Sequence, residues 1–256
     1  LNVKGLQHQD GHSHIMSGLI PKCVSYDPTF AHELAVIIHD GLRRMVQNQE
    51  NVYYYITVMN ENYSHPGLRE GDEEGIIRGM YRLQEGGKGK NRVQLLGSGT
   101  ILREVIEAAK LLEQDWGVAA DVWSATSFTE LRREGLDCER HNLLHPQEEQ
   151  KVPYVARLLE PTSGPIVAST DYVKSFADQI RQFIPKGRQY RVLGTDGYGR
   201  SDFRYKLREH FEVDRHFVVL AALRSLADEG SIEMSKVAEA IEKYGINPNQ
   251  ANPHHA

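Results

Sequence analysis

The stretch RVQLLGSG (residues 92–99), followed by TILREVIEAAKLLEQDWG (100–117) and AADVWSATSF (119–128), decides the fold class. The first and third pieces are apolar runs of strand length. The middle piece is a helix-length segment that follows a glycine-rich turn and ends at Gly117. Strands that alternate with helices of about 10–15 residues are typical of a mainly parallel sheet covered by helices. The sequence therefore predicts an α/β fold.

The same alternation continues towards the C-terminus. Two more strand–helix pairs are predicted in residues 164–184 and 189–211, and two further helices follow them. Gly230 and Gly245 lie where these last helices should end, so we expect them to be C-caps.

The part of the chain before the Gly- and Lys-rich stretch QEGGKGKNR (84–92) contains fewer elements. That stretch predicts a flexible linker or exposed loop. Residues 26–45 predict a helix that starts at Asp27-Pro28 and has one apolar face, formed by Leu34, Ile37, Ile38, Leu42 and Met45. NVYYYITVMN (51–60) is typical of a strand buried on both faces. We expect these two elements to be the end of a domain.

Composition excludes several classes of protein. Among 256 residues, 25% are charged and 40% are apolar, which is typical of globular proteins. A formal net charge of −5 argues against nucleic acid as a partner. No apolar run reaches the roughly 20 residues that span a bilayer. The start, residues 1–4, lacks both a signal peptide and a Met, which suggests a processed chain or part of a longer one. Cys23 and Cys138 lie far apart, which favours a reducing cytoplasm.

Two glycine-rich turns could hold an anion at a helix N-terminus. GSGT (97–100) joins a strand to a helix, but it is neither GxGxxG nor a Walker motif, so a tight turn is the more usual role. In TDGYGRSD (195–202), Ser201 or Asp202 is expected to be an N-cap.

Cys138, His141 and His145 lie close together in the sequence. A Cys-His-His metal site would need a fourth ligand and a deprotonated thiol, so we expect a polar loop. The motifs GxSxG, HExxH and paired CxxC are absent from the sequence.

The segment GLQHQDGHSH (5–14) places three histidines within seven residues, beside Asp10. A metal site, a pocket for substrate or proton transfer, and a structural polar turn are all compatible with this spacing. Gly11 would break a helix that aligned His8 with His12. An extended or turning loop would put His12 and His14 on the same side and His8 elsewhere.

Several blocks together resemble a known family: LQHQDGHSH (6–14), SYDP (25–28), SFTELRR (127–133), VASTDY (167–172) and YRVLGTDGYGRSD (190–202). They resemble the thiamin-dependent pyruvate dehydrogenase (acetyl-transferring) components of bacterial complexes, of the homodimeric, transketolase-like type. DGHSH and VLGTDGYGRSD are the blocks most specific to this group.

The resemblance implies a domain organisation. Residues 1–66 are expected to be the C-terminal portion of a pyrimidine-binding domain and 67–92 a linker. Residues 93–256 are expected to be a transketolase-like C-terminal domain.

The resemblance also implies an activity, namely oxidative decarboxylation of pyruvate and acetylation of the lipoyl group of a dihydrolipoyl acetyltransferase core. His8 matches a family histidine that contacts the pyruvate-derived adduct, and Asp10, His12 and His14 share its substrate-binding motif. Thiamin diphosphate and Mg²⁺ are expected in a longer, homodimeric cytoplasmic parent. The Gly-Asp-Gly…Asn segment and the activating glutamate are absent from this sequence, so no cofactor-binding or metal-binding residue is assigned and the isolated chain is expected to be inactive.

The chain departs from the family pattern at Lys4, where a carboxylate is expected, and this puts substrate preference in doubt. Three alternatives remain: a non-catalytic dimerisation or assembly domain, another homodimeric 2-oxo acid dehydrogenase, or a transketolase.

Overall fold

Two sheets organise residues 10–255, which are the residues that this computed structural model describes. The smaller sheet pairs β1 (Cys23–Tyr26) with β2 (Tyr53–Ile56) in parallel. The helices α1 (Ser13–Gly18) and α2 (Ala31–Leu42) belong to the same part of the chain, and a π-helical turn, Arg43–Gln47, follows α2.

The larger sheet has five strands in the order β3-β5-β4-β6-β7. These strands are β3 (Tyr81–Gln84), β4 (Asn91–Gly97), β5 (Val118–Ser124), β6 (Ile166–Ser169) and β7 (Tyr190–Leu193). All neighbours are parallel except β3, which runs antiparallel to β5. The remaining helices are α3 (Asp72–Arg78), α4 (Leu102–Trp116), α5 (Phe128–Leu144), α6 (Tyr154–Leu159), α7 (Lys174–Asp178), α8 (Arg204–His210), α9 (Arg215–Asp228) and α10 (Met234–Lys243). The predicted α/β class is confirmed.

The α4 helix packs against the centre of the larger sheet. Leu102, Val105, Ala108 and Leu112 recur at helical spacing, are fully buried, and share one core cluster with apolar residues of β4, β5 and α9. Gly117, with a φ of 62°, ends the helix in the left-handed conformation that glycine adopts without strain.

The expected linker, residues 67–92, contains regular structure. Both α3 and β3 lie within it, and Tyr81 pairs with Ser124 across the edge of the larger sheet. The loop after β3 is held by a 2.8 Å hydrogen bond from Gly86 N to the Asp121 carboxylate. The domain boundaries therefore stay a proposal.

Two expectations for the smaller sheet were wrong. The side chain of Tyr53 in β2 is 46% exposed. Among the described residues β2 pairs only with β1, so no described strand covers its other edge. The α2 helix starts at Ala31 and not at Pro28, because the buried Glu33 carboxylate accepts the N–H groups of Thr29 (2.6 Å) and Phe30 (2.9 Å).

The predicted apolar face of α2 is only partly correct. Ile37 is fully buried, but Ile38 and Leu42 are 46% and 54% exposed. These two side chains lie on a side of α2 that no described element covers completely.

At the C-terminal end, Gly230 (φ 73°) and Gly245 (φ 62°) follow α9 and α10 in the left-handed conformation, which confirms the predicted C-caps. The predicted N-cap at Ser201 or Asp202 is wrong. The α8 helix begins after Phe203 without a side-chain cap, and Asp202 instead accepts the adjacent N–H of Phe203 at 2.7 Å.

The expected polar loop around Cys138 is also wrong, because α5 continues through this region to Leu144. His141 and His145 stack on each other at 4.6 Å, and His145 Nδ1 lies 2.9 Å from Glu148.

Among residues 10–255, no helix is long and apolar enough to cross a membrane.

Candidate functional site

A cavity of about 330 Å³ lies where strands of both sheets end. Its lining includes Asp27 after β1, Thr57 after β2, Asp171 after β6 and Thr195 after β7. The carboxyl ends of parallel strands are where open α/β sheets usually bind ligands. This cavity is therefore the candidate site.

Asp10 is the described member of the histidine motif that lines this cavity. Its carboxylate accepts the N–H groups of His12 (3.3 Å) and Ser13 (3.0 Å), and also the Ser13 hydroxyl, so it caps the start of α1. Gly11 O accepts the N–H of Val173 at 3.0 Å, which ties the motif to the loop that follows β6.

His14 lies in a different environment from His12. Its ring is 1% exposed and packs against Tyr55, Tyr172 and Phe176, with ring centroids 4.6–5.4 Å apart. Burial lowers the pKa of His14 from 6.5 to about 4, although the Asp10 charge acts in the opposite direction. His14 is therefore neutral at physiological pH.

The expectation that His12 and His14 share a side was wrong. His12 is exposed while His14 is buried, because the chain enters α1 at Ser13 instead of staying extended. His8 lies outside the described residues. Neither His12 nor His14 lines the cavity.

Asp27 forms the floor of a short hydrogen-bonded chain. Thr57 Oγ1 lies 2.7 Å from Asp27 Oδ1 and 2.8 Å from His14 Nε2. Burial raises the pKa of Asp27 from 3.8 to about 7, and its hydrogen bond with Thr57 partly offsets this rise.

Three arginines face the carboxylates across the cavity, and their charges are balanced to different degrees. Arg208 lies 2.9 Å from Glu104 and 3.3 Å from Glu61. Arg204 donates to Asn60 at 2.7 Å and also lies near Glu61. Arg200 is exposed and forms no ion pair with any residue of 10–255. No described carboxylate therefore balances its charge.

The GSGT turn has a structural role at this cavity. Gly99 has a φ of 48°, donates its N–H to Asp27 O at 3.0 Å, and leaves no room for a side chain, since a Cβ would lie 2.4 Å from the Asp27 carboxylate. The N–H of Gly99 is thus used by the protein backbone, and Thr100 accepts from Arg208 at 2.9 Å.

Asp27, Asp171 and Arg200 line the cavity but were not predicted as site residues from the sequence. They lie in SYDP, VASTDY and VLGTDGYGRSD, where Asp27 was interpreted as a helix start and TDGYGRSD as a turn with an N-cap. Asp171 directly follows the strand predicted in 164–170, and that placement was the signal that could have found it.

A magnesium diphosphate group needs several oxygen ligands at one place. Within residues 10–255, no group of three or more His, Cys, Asp or Glu side chains is arranged to hold a metal ion. No residue of the described part of the chain is therefore assigned to a metal ion.

Two family models match the chain. Residues 1–66 match the pyruvate dehydrogenase E1 component middle domain, and residues 79–214 match the transketolase-like C-terminal domain.

Curated relatives match along almost the whole chain. Pyruvate dehydrogenase E1 components of Cupriavidus necator and Pseudomonas aeruginosa are each 61% identical over 99% of the chain, and the Escherichia coli protein is 59% identical over 99%. The chain spans 28–29% of the length of these relatives.

Solved structures of similar fold are transketolases. The enzyme from Pichia stipitis matches with a TM-score of 0.61 and 17% identity, over 90% of this chain and 29% of its own. Transketolase from Leishmania mexicana matches with a TM-score of 0.59 and 16% identity, over 89% of this chain and 28% of its own.

Proposed function

The chain belongs to the transketolase-like family, in the branch that contains the pyruvate dehydrogenase E1 components, and on this premise we propose that it is the C-terminal part of a pyruvate-decarboxylating enzyme. The longer enzyme would use thiamin diphosphate and Mg²⁺ and act as a homodimer in the cytoplasm. It would acetylate the lipoyl group of a dihydrolipoyl acetyltransferase core. Residues 1–66 and 93–256 would be portions of two of its domains.

One observation carries the proposal. The histidine motif and the 190–202 run are far apart in sequence, yet Asp10 from the first and Arg200 from the second line the same cavity. These were the two blocks most specific to the resembling group. Their convergence supports a shared role in handling one small substrate.

The charges around the cavity suggest which residues would act. Arg200 would attract the carboxylate of a 2-oxo acid, since its guanidinium has no ion-pair partner among the described residues. Asp10 would accept a hydrogen bond from a donor group of the bound substrate, and its carboxylate would still cap α1. Thiamin diphosphate, held elsewhere in the longer protein, would supply the electron sink for decarboxylation.

The proposal is tested in the full-length enzyme with Arg200→Ala. Loss of one charge-assisted contact should raise the KM for pyruvate by roughly 10- to 100-fold. Arg140→Ala is the matched control, because Arg140 is an exposed arginine of α5 that does not line the cavity.

An unchanged KM for pyruvate in Arg200→Ala would remove Arg200 from substrate binding. Faster thiamin-dependent turnover of another 2-oxo acid in a substrate panel would overturn pyruvate as the substrate.

A second candidate is an assembly role without catalysis. Ile38, Leu42 and Val46 are exposed on one side of α2 and its π-helical extension, as expected of a surface that another element covers. Dimerisation of the longer protein without turnover of any 2-oxo acid would favour this role.

A further inference from the structure

The hydrogen-bonded chain beneath the histidine motif has a defined direction. Thr57 Oγ1 lies between Asp27 Oδ1 (2.7 Å) and His14 Nε2 (2.8 Å). A hydroxyl group has one hydrogen to donate and can accept from a second donor. An ionised carboxylate only accepts, so the Thr57 hydrogen must point to Asp27 when Asp27 is charged.

The direction of this bond decides which nitrogen of His14 carries hydrogen. With its hydrogen directed to Asp27, the Thr57 oxygen is an acceptor towards His14, and Nε2 must donate. Because the pKa of His14 is about 4, its ring has only one hydrogen at neutral pH. Nδ1 is then a bare nitrogen, and this buried atom has no hydrogen-bond partner among the described residues.

We propose that Asp27 is a positioning residue that acts through the Thr57 hydroxyl to fix the Nε2–H tautomer of His14 and so anchor the start of α1. The anchor matters because α1 begins with the capping contacts of Asp10, and Asp10 lines the cavity. The consequence for substrate handling rests on the proposed function, whereas the preference of His14 for the Nε2–H tautomer does not depend on it.

Protonation of Asp27 removes this control. A neutral Asp27 carries a hydrogen of its own and can donate it to Thr57 Oγ1. The Thr57 hydrogen is then released from the carboxylate and can point either to His14 Nε2 or to Tyr26 O, which lies 3.4 Å away. Both neutral tautomers of His14 thus become compatible with the hydrogen-bonded chain. One proton taken up at Asp27 thus loosens the tautomer preference of a ring two hydrogen bonds away.

Several groups face Asp27 and His14 and act on this equilibrium. The charges of Asp171 and Glu33 disfavour the charged form of Asp27. Burial raises the pKa of Tyr63 and Tyr172, and the charge of Asp27 adds to this rise. The hydroxyl of Ser98 favours the charged form, as Thr57 does. His14 faces the charge of Asp10. The pKa of Asp27, about 7, already includes these neighbours.

Nitrogen NMR of the full-length enzyme, labelled with ¹⁵N-histidine, tests the proposal directly, because two-bond ¹⁵N–¹H spectra distinguish the two neutral tautomers from the charged ring. His14→Gln identifies the His14 signals. Spectra are compared at about pH 8.5 and about pH 5.5, on either side of the Asp27 pKa of about 7. In the wild type we expect the Nε2–H tautomer to dominate by about tenfold at the higher pH, because one net hydrogen bond depends on it, and to lose part of this preference at the lower pH.

Three variants separate the links of the chain. Thr57→Val keeps the shape but removes the hydroxyl, so the tautomer ratio should fall to that of an unrestrained ring and should not change with pH. Thr57→Ser restores the hydroxyl and should behave as the wild type. Asp27→Asn should give a tautomer ratio that does not change with pH. Unchanged signals of His141 and His145 report that each variant is folded.

A charged or Nδ1–H ring in the wild type at the higher pH would overturn the proposal. So would a constant wild-type ratio at both pH values, or a pH response that survives in Thr57→Val. None of these readouts depends on turnover, so a failed assignment of the enzymatic activity leaves them intact.

Discussion

Replacing Asp27 by Asn should make the stability of this protein less dependent on pH. The Asp27 side chain is 6% exposed and lies beneath the cavity between the two sheets. Asn has nearly the same shape, and its Oδ1 can still accept the hydroxyl of Thr57, which lies 2.7 Å away. The substitution therefore removes the charge and keeps the contact.

Whether Asp27 stabilises or destabilises the protein as pH rises depends on which state, folded or unfolded, binds its proton more tightly. The folded state raises the pKa of Asp27 from 3.8 to about 7, chiefly by burial. Between these values the native chain holds a proton that the unfolded chain has released. The contribution of Asp27 to the free energy of unfolding therefore falls as pH rises through this window. Above about pH 7 Asp27 is charged in both states, and its full destabilising effect on the folded state is present.

The size follows from the same rise in pKa. At about 1.4 kcal/mol per pKa unit, the rise from 3.8 to about 7 corresponds to an upper limit of about 4 kcal/mol. Relaxation around a charged Asp27 reduces this figure. We expect Asp27→Asn to match the wild type near pH 4 and to be more stable by about 2–4 kcal/mol near pH 8.

Urea unfolding followed by circular dichroism at a series of pH values measures this difference. Asp137→Asn is the control, because Asp137 is an exposed aspartate of α5 and should give a curve parallel to the wild type. If the Asp27→Asn curve also runs parallel to the wild type from pH 4 to pH 8, the buried carboxylate is not held near neutrality and the reasoning fails.

Four further outcomes are expected. Gly99→Ala should lower the free energy of unfolding by about 1–3 kcal/mol in urea titrations, because its Cβ would meet the Asp27 carboxylate at a φ of 48°. Gly230→Ala, with a φ of 73° but open space around it, should cost less. Chelator should leave the melting temperature of the chain unchanged, and elemental analysis should find no stoichiometric zinc, since a structural zinc would contribute to folding. Calorimetry should detect no thiamin diphosphate binding to the 256-residue chain with or without magnesium, and light scattering should show self-association; saturable, magnesium-dependent binding would contradict the domain assignment. His8→Ala in the full-length enzyme should lower turnover by roughly 10²–10⁴-fold with thiamin affinity retained, and unchanged turnover would remove His8 from the mechanism.

The sequence predicted the larger sheet well because its elements have local signals. The strands β4 and β5 and the helix α4 follow one another with clear apolar periodicity and glycine turns, and each is found where the pattern placed it. The start of α2 was missed because contacts with residues that are distant in sequence determine it. Glu33, held by Tyr81 and Ser124 from the larger sheet, fixes the preceding backbone, and no local pattern reports those partners.

The same distinction applies to the candidate site. Asp10 was found because it lies within a dense motif. Arg200 and Asp171 were not, since their chemistry depends on which strand ends the topology brings together. The exposure of β2 was misjudged for a related reason. An aromatic, β-branched strand is typical of a strand that is covered by neighbouring elements, but the sequence does not show whether those elements belong to this chain.

The histidine motif shows why residue type alone could not decide between a metal site, an anion pocket and a polar turn. His12 and His14 are two residues apart, yet one is exposed and the other is 1% exposed. With a pKa of about 4, His14 carries no charge at neutral pH and cannot attract a carboxylate as a cation. A substrate role for His14 stays a prediction, and it would have to use a neutral ring. If the substrate is the proposed 2-oxo acid, its carboxylate would be matched by a different group, and Arg200, from the other specific motif, is the lining guanidinium that no described carboxylate neutralises.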